Sequence, residues 1–445
     1  MHNHDLTTGS IPRKLLLFFL PIAAGTLFQQ LYNTVDAMVV GKFVGTEALA
    51  AVGGSASQII ALFIGFFVAL ANGSSAVIAQ LSGARQTEQV SRAIHCAFTF
   101  SLLAGLGLMA VGIPMTPAVL RWMDTPADTM AQSILYLQIY FAGSVFLLIF
   151  NMGSGILQAV GDSRTPLWCL IVCCICNIIL DLLFVVGLSM GIAGAALATV
   201  ISQLVSALLI LYRFFRADNE CRLSLRGLGI HPRLMRKMLA IGIPAGLQGS
   251  MYSLSNMMIQ VAINSLMTVG VAAWSMATKV DGLYSCIATA LGIAVMGFVG
   301  QNYGAGKHDR IRRTLRTGMT IFLPVTVVLG IGVLLFGRFC LGIFLDDAAV
   351  IRQTQVVLWY FVPFYVVWTF IEIVSGSLRG VGDAVVPLVI IGIGICGLRL
   401  IWVWCIFPFL PTIGGISLCY PVSWCITAAA LSIHYRRRGW NSSRK

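Results

Sequence analysis

The sequence predicts an all-α polytopic membrane protein with twelve transmembrane helices in two six-helix bundles, related by a pseudo-two-fold axis along the membrane normal. Three observations carry that expectation. Hydrophobic residues make up 58% of the 445 residues and charged residues only 10%, with a mean hydropathy of +0.89, outside the range of soluble domains. Basic residues crowd into alternate connections, and the second half of the chain repeats landmarks of the first. No polar stretch is long enough to form a separate soluble domain.

Residues 1–12 are polar and read as a short tail. Helix 1 is expected at 15–40, with Pro21 inside it removing a backbone donor and setting a bend, hence a candidate hinge. This first run is far longer than the roughly 7 to 15 residues of a signal-peptide core, so it stays as a membrane helix. Helices 2 to 6 follow at 48–81, 93–118, 130–158, 166–188 and 192–215. A basic connection at 216–237 divides a first lobe, 1–215, from a second, 238–445. Helices 7 to 12 then occupy 239–266, 271–299, 317–336, 353–378, 384–409 and 413–435.

A net charge of +13 raises nucleic acid as a partner, and the placement of the charges removes it. Of the 29 Lys and Arg, 23 lie at the N-terminus, in the even-numbered connections and at the C-terminus. Lys42, Arg121, Arg338 and Arg352 fall in odd-numbered connections, and Lys279 and Arg399 lie within hydrophobic runs. That is the positive-inside pattern of a multi-pass protein of the cytoplasmic (inner) membrane with both termini cytoplasmic. Nearly all of the 12 Cys sit in apolar runs, where they act as small hydrophobes rather than as a disulfide framework.

Gly155, Leu157, Val160, Gly161, Asp162 and Pro166 recur as Gly376, Leu378, Val381, Gly382, Asp383 and Pro387, a constant shift of 221. Gln80, Gly83 and Ala84 recur as Gln301, Gly304 and Ala305 in the same register, and Pro21 recurs as Pro244 at a shift of 223. Six helices per repeat means that both halves enter the membrane in the same direction. Two such bundles are the plan of alternating-access transporters.

The repeats differ where charge is concerned. Asp36 is the sole charge in a run of 27 residues between Lys14 and Lys42, longer than the about 20 that cross a bilayer. A carboxylate placed there costs about 2.5 to 3.5 kcal/mol on insertion scales, which marks a functional position. Its counterpart is Ile259, and Asn177, Asp181 and Thr199 map onto Leu398, Trp402 and Tyr420. Asn177 and Asp181 are four apart and share a face of helix 5. Two carboxylates, an amide and a hydroxyl make an oxygen-rich set suited to a proton or Na⁺. Two readings stay open: an ion site, or a hydrogen-bonded network that locks helices 1, 5 and 6.

The run YNTVDAMVVGKFVGTEALAAVG, the GDSRTP turn leading to CNIILDLLF, the GIAGAALATVISQ run and the later QNYGAGK and SLRGVGD together resemble multidrug and toxic compound extrusion (MATE) transporters. The likeness covers nearly the whole chain. It implies a twelve-helix, two-lobed antiporter that expels small organic, often cationic, compounds in exchange for H⁺ or Na⁺, without a cofactor. Within the family the chain is similar to the DinF-like branch, which implies a cation-coupling site at Asp36, Asn177, Asp181 and Thr199, with Tyr32 and Asn151 nearby and Pro21 at the bend of helix 1. It departs from the NorM-like branch, whose acid in helix 7 has no match in 248–260; Glu372 in helix 10 lies about a turn from another of that branch's acids.

Other intramembrane charges need partners. Lys279 and Asp281 are two apart and cannot face each other. An ion pair of Arg399 with Asp281 or Glu372 is the simplest expectation, and Glu372 either lines a cavity or pairs with a base. The two Gly-Asp turns read as caps. Nothing resembles a phosphate-binding loop, a catalytic triad or a metal-ligand cluster, which argues against an enzyme. The alternative within this architecture is a flippase for lipid-linked precursors, but that calls for a strongly basic cavity, and the helices offer only Lys279 and Arg399. Membrane lipids and small organic solutes are the expected partners, nucleic acid is not, and a monomer suffices.

Overall fold

The computed structural model describes residues 5–123, 125–218, 220–344 and 347–437. Among them the regular structure is helical, as the apolar runs require, because a spanning backbone must satisfy its own polar groups. The first repeat is built from α1 (Ile11–Phe43), α2 (Glu47–Gly83), α3 (Thr87–Trp122), α4 (Ala127–Ala142 and Ser144–Ala159), α5 (Arg164–Gly187) and α6 (Gly191–Phe215). The second follows with α7 (Pro232–Asn264), α8 (Met267–Gly304), α9 (His308–Phe344), α10 (Ala348–Gly380), α11 (Val385–Phe409) and α12 (Ile413–Arg437). Every expected helix is present in order, most of them longer than the apolar run that announced them.

Ten of these helices are long and apolar enough to cross a membrane, or eleven when the two halves of α4, bent by 51° at Gly143, count as one span. The helix α7 falls outside that set. Its sequence explains why: Gln248, Ser255, Asn256, Gln260 and Asn264 interrupt the apolar run. Pro21 sits inside an otherwise continuous α1, and Pro244 inside α7.

The repeat is written into the backbone as well as the sequence. Gly161 and Gly382 both adopt φ +93°, a left-handed conformation that favours glycine. Around them the same bonds recur: the Asp162 amide donates to Leu157 and the Asp383 amide to Leu378, each at 2.8 Å. Asp162 then caps α5, its carboxylate accepting from the Arg164 and Thr165 amides at 3.1 and 3.0 Å. Gly155 packs on the Ala71 carbonyl, and 221 residues later Gly376 packs on Gly292, the counterpart of Ala71.

Two compact units emerge, one comprising Phe18–Gly246 and the other Leu6–Leu17 together with the chain from Leu247 on. The division therefore runs through α1 and α7 rather than at the 216–237 connection. Close backbone approach holds the start of α7 in the first unit: a Cβ on Gly73 would sit 2.5 Å from the Gly242 nitrogen. The connection itself is packed there too, with Cys221 and Leu223 buried and the Ser224 amide donating to His95 Nε2 at 3.0 Å.

The polar tail is also ordered by specific contacts, within the second unit. The Leu6 amide donates to Gln301 Oε1 at 3.0 Å. Lys307 Nζ donates to the Thr7 carbonyl at 2.8 Å, and Arg310 reaches the carbonyls of Leu6, Thr8 and Gly9. Leu6, Thr7 and Ile11 are buried as a result.

Candidate functional site

In the first unit four helices converge on Asp36. The helix α1 carries Tyr32 and Asp36 one turn apart, α5 carries Asn177 and Asp181 one turn apart, and α6 supplies Thr199. The helices α5 and α6 pack along each other, which brings their polar faces together. Asn177 and Asp181 are fully buried, Thr199 is 2% exposed and Asp36 7%. The Asp36 and Asp181 carboxyl groups face each other closely enough to interact, and the Tyr32 hydroxyl reaches the Thr199 side chain.

Their other bonds are few. Neither Asp181 oxygen, neither amide atom of Asn177, nor Asp36 Oδ1 has a regular hydrogen-bond partner. The Thr199 hydroxyl donates to the Ala195 carbonyl at 3.1 Å, which leaves its oxygen able to accept or ligate. Buried polar groups in native proteins are normally paired, and here two carboxyls and an amide lie buried together with atoms that lack such partners. The oxygen-only donor set fits H⁺ or a hard cation such as Na⁺.

Two tyrosines on α4, absent from the sequence-based set, complete the wall. Tyr136 and Tyr140 are 4% and 8% exposed, and both lie in the field of Asp36. The Tyr140 hydroxyl is within reach of the Gln203 side chain on α6. Their spacing of four on a helix was the available signal, yet tyrosines at that spacing in an apolar helix are commonly core. Asn151, on the second half of α4, donates its amide to the Leu147 carbonyl at 2.9 Å.

The equivalent region of the second unit is an apolar and aromatic core. Ile259, Val357, Phe361 and Tyr420 stand where the first unit has Asp36, Tyr136, Tyr140 and Thr199, and all four belong to one buried cluster. The Phe361 and Tyr420 rings are 4.3 Å apart, and Trp402, the counterpart of Asp181, donates its indole N–H to the Gly415 carbonyl at 2.9 Å.

Three charged residues of the second unit, Asp281, Glu372 and Arg399, line a cavity of about 550 Å³. The expected ion pair of Arg399 with either acid is not what forms. Glu372 pairs with Arg379 on its own helix, at 3.6 Å. Arg399 instead donates Nη1 to Asn256 Oδ1 at 3.1 Å, and its guanidinium lies over the Tyr420 ring. An amide oxygen and aromatic faces thus do the work expected of a carboxylate, while Asp281 acts on Arg399 only through its field and faces the Tyr365 hydroxyl. Lys279, expected to be a buried cation, is exposed and does not line the cavity.

Comparison with known proteins gives a consistent picture. The profile of the MatE family matches residues 21–183 and 244–405. The "probable multidrug resistance protein YoeA" of Bacillus subtilis (strain 168) is 27% identical over 439 residues, covering 96% of this chain and 94% of the relative. The "probable multidrug resistance protein YpnP" of the same organism is 28% identical over 457 residues, covering 99% and 98%. Among solved structures, an "outward-facing conformation of a multidrug resistance MATE family transporter of the MOP superfamily" superposes with a TM-score of 0.92 over 100% of this chain and 99% of that one. At 22% sequence identity, that superposition speaks for the fold.

Proposed function

The chain belongs to the MatE family, and on that premise we propose that it is a secondary active efflux antiporter, exporting small organic, often cationic, compounds in exchange for H⁺ or Na⁺ bound at Asp36 and Asp181. The observation that carries the reading is the meeting of these two carboxyls in the first unit, buried and short of partners, where the second unit has Ile259 and Trp402. The names of the relatives support multidrug export as the task. In this reading the protein is a transporter and not an enzyme, and it works as a monomer in the cytoplasmic membrane, with lipids around it and both termini inside.

Each group has a role. A proton or Na⁺ arriving between Asp36 and Asp181 removes the repulsion of two close carboxylates. Asn177 and Thr199 supply neutral oxygens, and Tyr32, Tyr136 and Tyr140 enclose the site so that its charge state matters to helix packing. The ion-loaded arrangement favours a rearrangement of α1 about Pro21 and a state of lower substrate affinity; substrate favours the other state. Because the two ligands prefer different states, each must weaken the binding of the other.

The experiment is transport in proteoliposomes holding the purified protein, with a cationic dye as cargo and H⁺ and Na⁺ gradients imposed separately. Dye movement driven by one gradient and abolished by its collapse is expected. Dye flux indifferent to both gradients would sink the antiport reading, and binding of anionic lipid-linked sugars without any organic cation would favour a flippase.

A further inference from the structure

Two consecutive residues near the start of α3, His95 and Cys96, hold the connection between α6 and α7 at two points. The Ser224 amide donates to His95 Nε2 at 3.0 Å, and further along the His231 amide donates to Cys96 Sγ at 3.4 Å. Ser224 also closes a tight turn, its carbonyl and hydroxyl accepting from the Gly227 amide at 3.1 and 3.2 Å. All of these groups belong to the first unit.

The His95 ring is held at both nitrogens and is buried. Its Nδ1 lies 2.8 Å from the Ser91 carbonyl, which can only accept, so Nδ1 carries a proton. The Ser224 amide can only donate, so Nε2 must offer a lone pair; the Ser224 hydroxyl lies 3.3 Å from the same nitrogen. A Cβ on Gly227 would stand 2.6 Å from Nε2, so the turn closes directly against the ring.

That arrangement suits one charge state. An imidazolium carries a proton on each nitrogen, and the one on Nε2 would point at the amide proton of Ser224. Two donors cannot bond, and the amide loses its acceptor. Histidine is also the side chain whose charge ordinarily changes between about pH 5 and 8.

We propose that His95 is a proton-operated latch on the 216–237 connection, closed on Ser224 while the ring is neutral and released when Nε2 takes up a proton. The bond is present at the alkaline end of that range and is lost as pH falls. Cys96 keeps its hold on His231, so release frees the turn around Ser224 and not the whole connection. On the proposed topology this face is cytoplasmic, and the latch then answers to acid in the cytoplasm. It shares no residue with the Asp36 and Asp181 set.

Other titratable groups border the latch. On α3 they are Cys96 and the mutually paired Glu88 and Arg92. The end of α6 and the connection carry Arg213, Arg216, Glu220, Cys221, Arg222, Arg226 and His231, and the turn into α5 carries Asp162, whose charge reaches Cys221. Among the described residues, the imidazole itself bonds Ser91 and Ser224. A pH response of the connection that came from the surrounding groups would survive replacement of His95, which gives the test its control.

The test is hydrogen exchange of the purified full-length protein in nanodiscs, read on peptides covering 222–228. Each rate is divided by that of an unstructured peptide of the same sequence at the same pH. In the wild type, protection should fall about 3- to 10-fold between about pH 8 and pH 5, the worth of one hydrogen bond. His95→Gln, which offers an amide oxygen in place of Nε2 and cannot titrate, should hold its protection across the range. His95→Phe, which keeps a ring and offers no acceptor, should start low and stay low, so the loss of one variant to misfolding leaves the other. The proposal is overturned if wild-type protection is unchanged across the range, or if either variant shows the wild-type fall.

Discussion

Arg399 lies over the Tyr420 ring, its guanidinium carbon 3.8 Å from the ring centroid, in a part of the second unit where neither residue is more than 7% exposed. A desolvated cation–π contact of this kind is worth about 2 kcal/mol. Tyr420→Leu should therefore lower the thermal stability of the purified protein by that order, whereas Tyr420→Phe, which keeps the π face, should change it little. Equal losses in the two variants, read by thermal unfolding, would assign the effect to the hydroxyl and refute the ring contact.

Glycines at helix crossings should divide sharply by what surrounds them. At Gly376 an added Cβ would sit 2.5 Å from the Gly292 carbonyl oxygen, and at Gly73 2.5 Å from the Gly242 nitrogen. Both obstacles are backbone, which cannot rotate away, so Gly73→Ala and Gly376→Ala should each cost about 1 to 3 kcal/mol. Gly107, also within a helix, has nothing within 4 Å of the same position, and Gly107→Ala should be neutral or stabilising by about 0.5 to 1 kcal/mol. Melting temperatures of the three variants in one detergent decide the matter.

The clasp on the N-terminal tail should be visible by hydrogen exchange. Arg310 donates to Asn302 and to three carbonyls of the tail, at 3.0 to 3.3 Å. Hydrogen bonds from a charged group contribute about 1.5 to 3 kcal/mol, so Arg310→Ala should speed exchange of the Leu6 amide by roughly tenfold or more. Unchanged protection at Leu6 would show that Gln301 and Lys307 hold the tail without it.

Thiol chemistry probes the connection between α6 and α7. Burial, with Glu220 beside it, pushes the Cys221 thiol up to about 12, against an ordinary value of about 8.5. A raised value keeps the neutral thiol, so its reaction with a maleimide near pH 8 should be slower than that of an exposed cysteine by roughly a thousandfold. The rate should climb about tenfold per pH unit through pH 10. A plateau near pH 9 would mean that the connection opens and the thiol titrates normally.

These sites also show what the sequence could and could not reveal. Spans and repeat were legible because both are periodic: long uncharged runs, and Gly-Asp turns that recur at a shift of 221 and prove to share φ +93°. Asp36 and Asp181 stood out because a charge in an apolar run is costly wherever it points. Tyr136 and Tyr140 did not, since their approach to Asp36 depends on how α4 packs against α6. The partner of Arg399 was misjudged for a related reason: charge counting offers only Asp281 and Glu372, while an amide and a ring face serve a guanidinium as well. The anchoring of the tail was not legible, because the acceptors it offers to Arg310 and Lys307 are backbone carbonyls, which every residue has. The start of α7 joined the first unit through Gly73 and Gly242, a proximity that no local pattern encodes.

The asymmetry between the units leads to the most demanding prediction. If coupling resides at Asp36 and Asp181, then Asp36→Asn and Asp181→Asn should each abolish gradient-driven efflux while leaving the protein folded, because asparagine keeps the shape and cannot take up or release the proton. For Na⁺ it removes the charge that holds the ion. Dye binding should survive in both, but its dependence on pH or Na⁺ should vanish, since the reciprocal weakening of ion and substrate needs both sites. Glu372→Gln probes the second unit, where Arg379 already neutralises the carboxylate. Its expected effect is smaller and falls on dye affinity or stability rather than on the ion dependence. The measurement is dye affinity against pH and Na⁺ in the wild type and the three variants, together with efflux in vesicles. Full ion-driven efflux in Asp36→Asn and Asp181→Asn, with its loss in Glu372→Gln, would move coupling to the second unit and overturn the assignment.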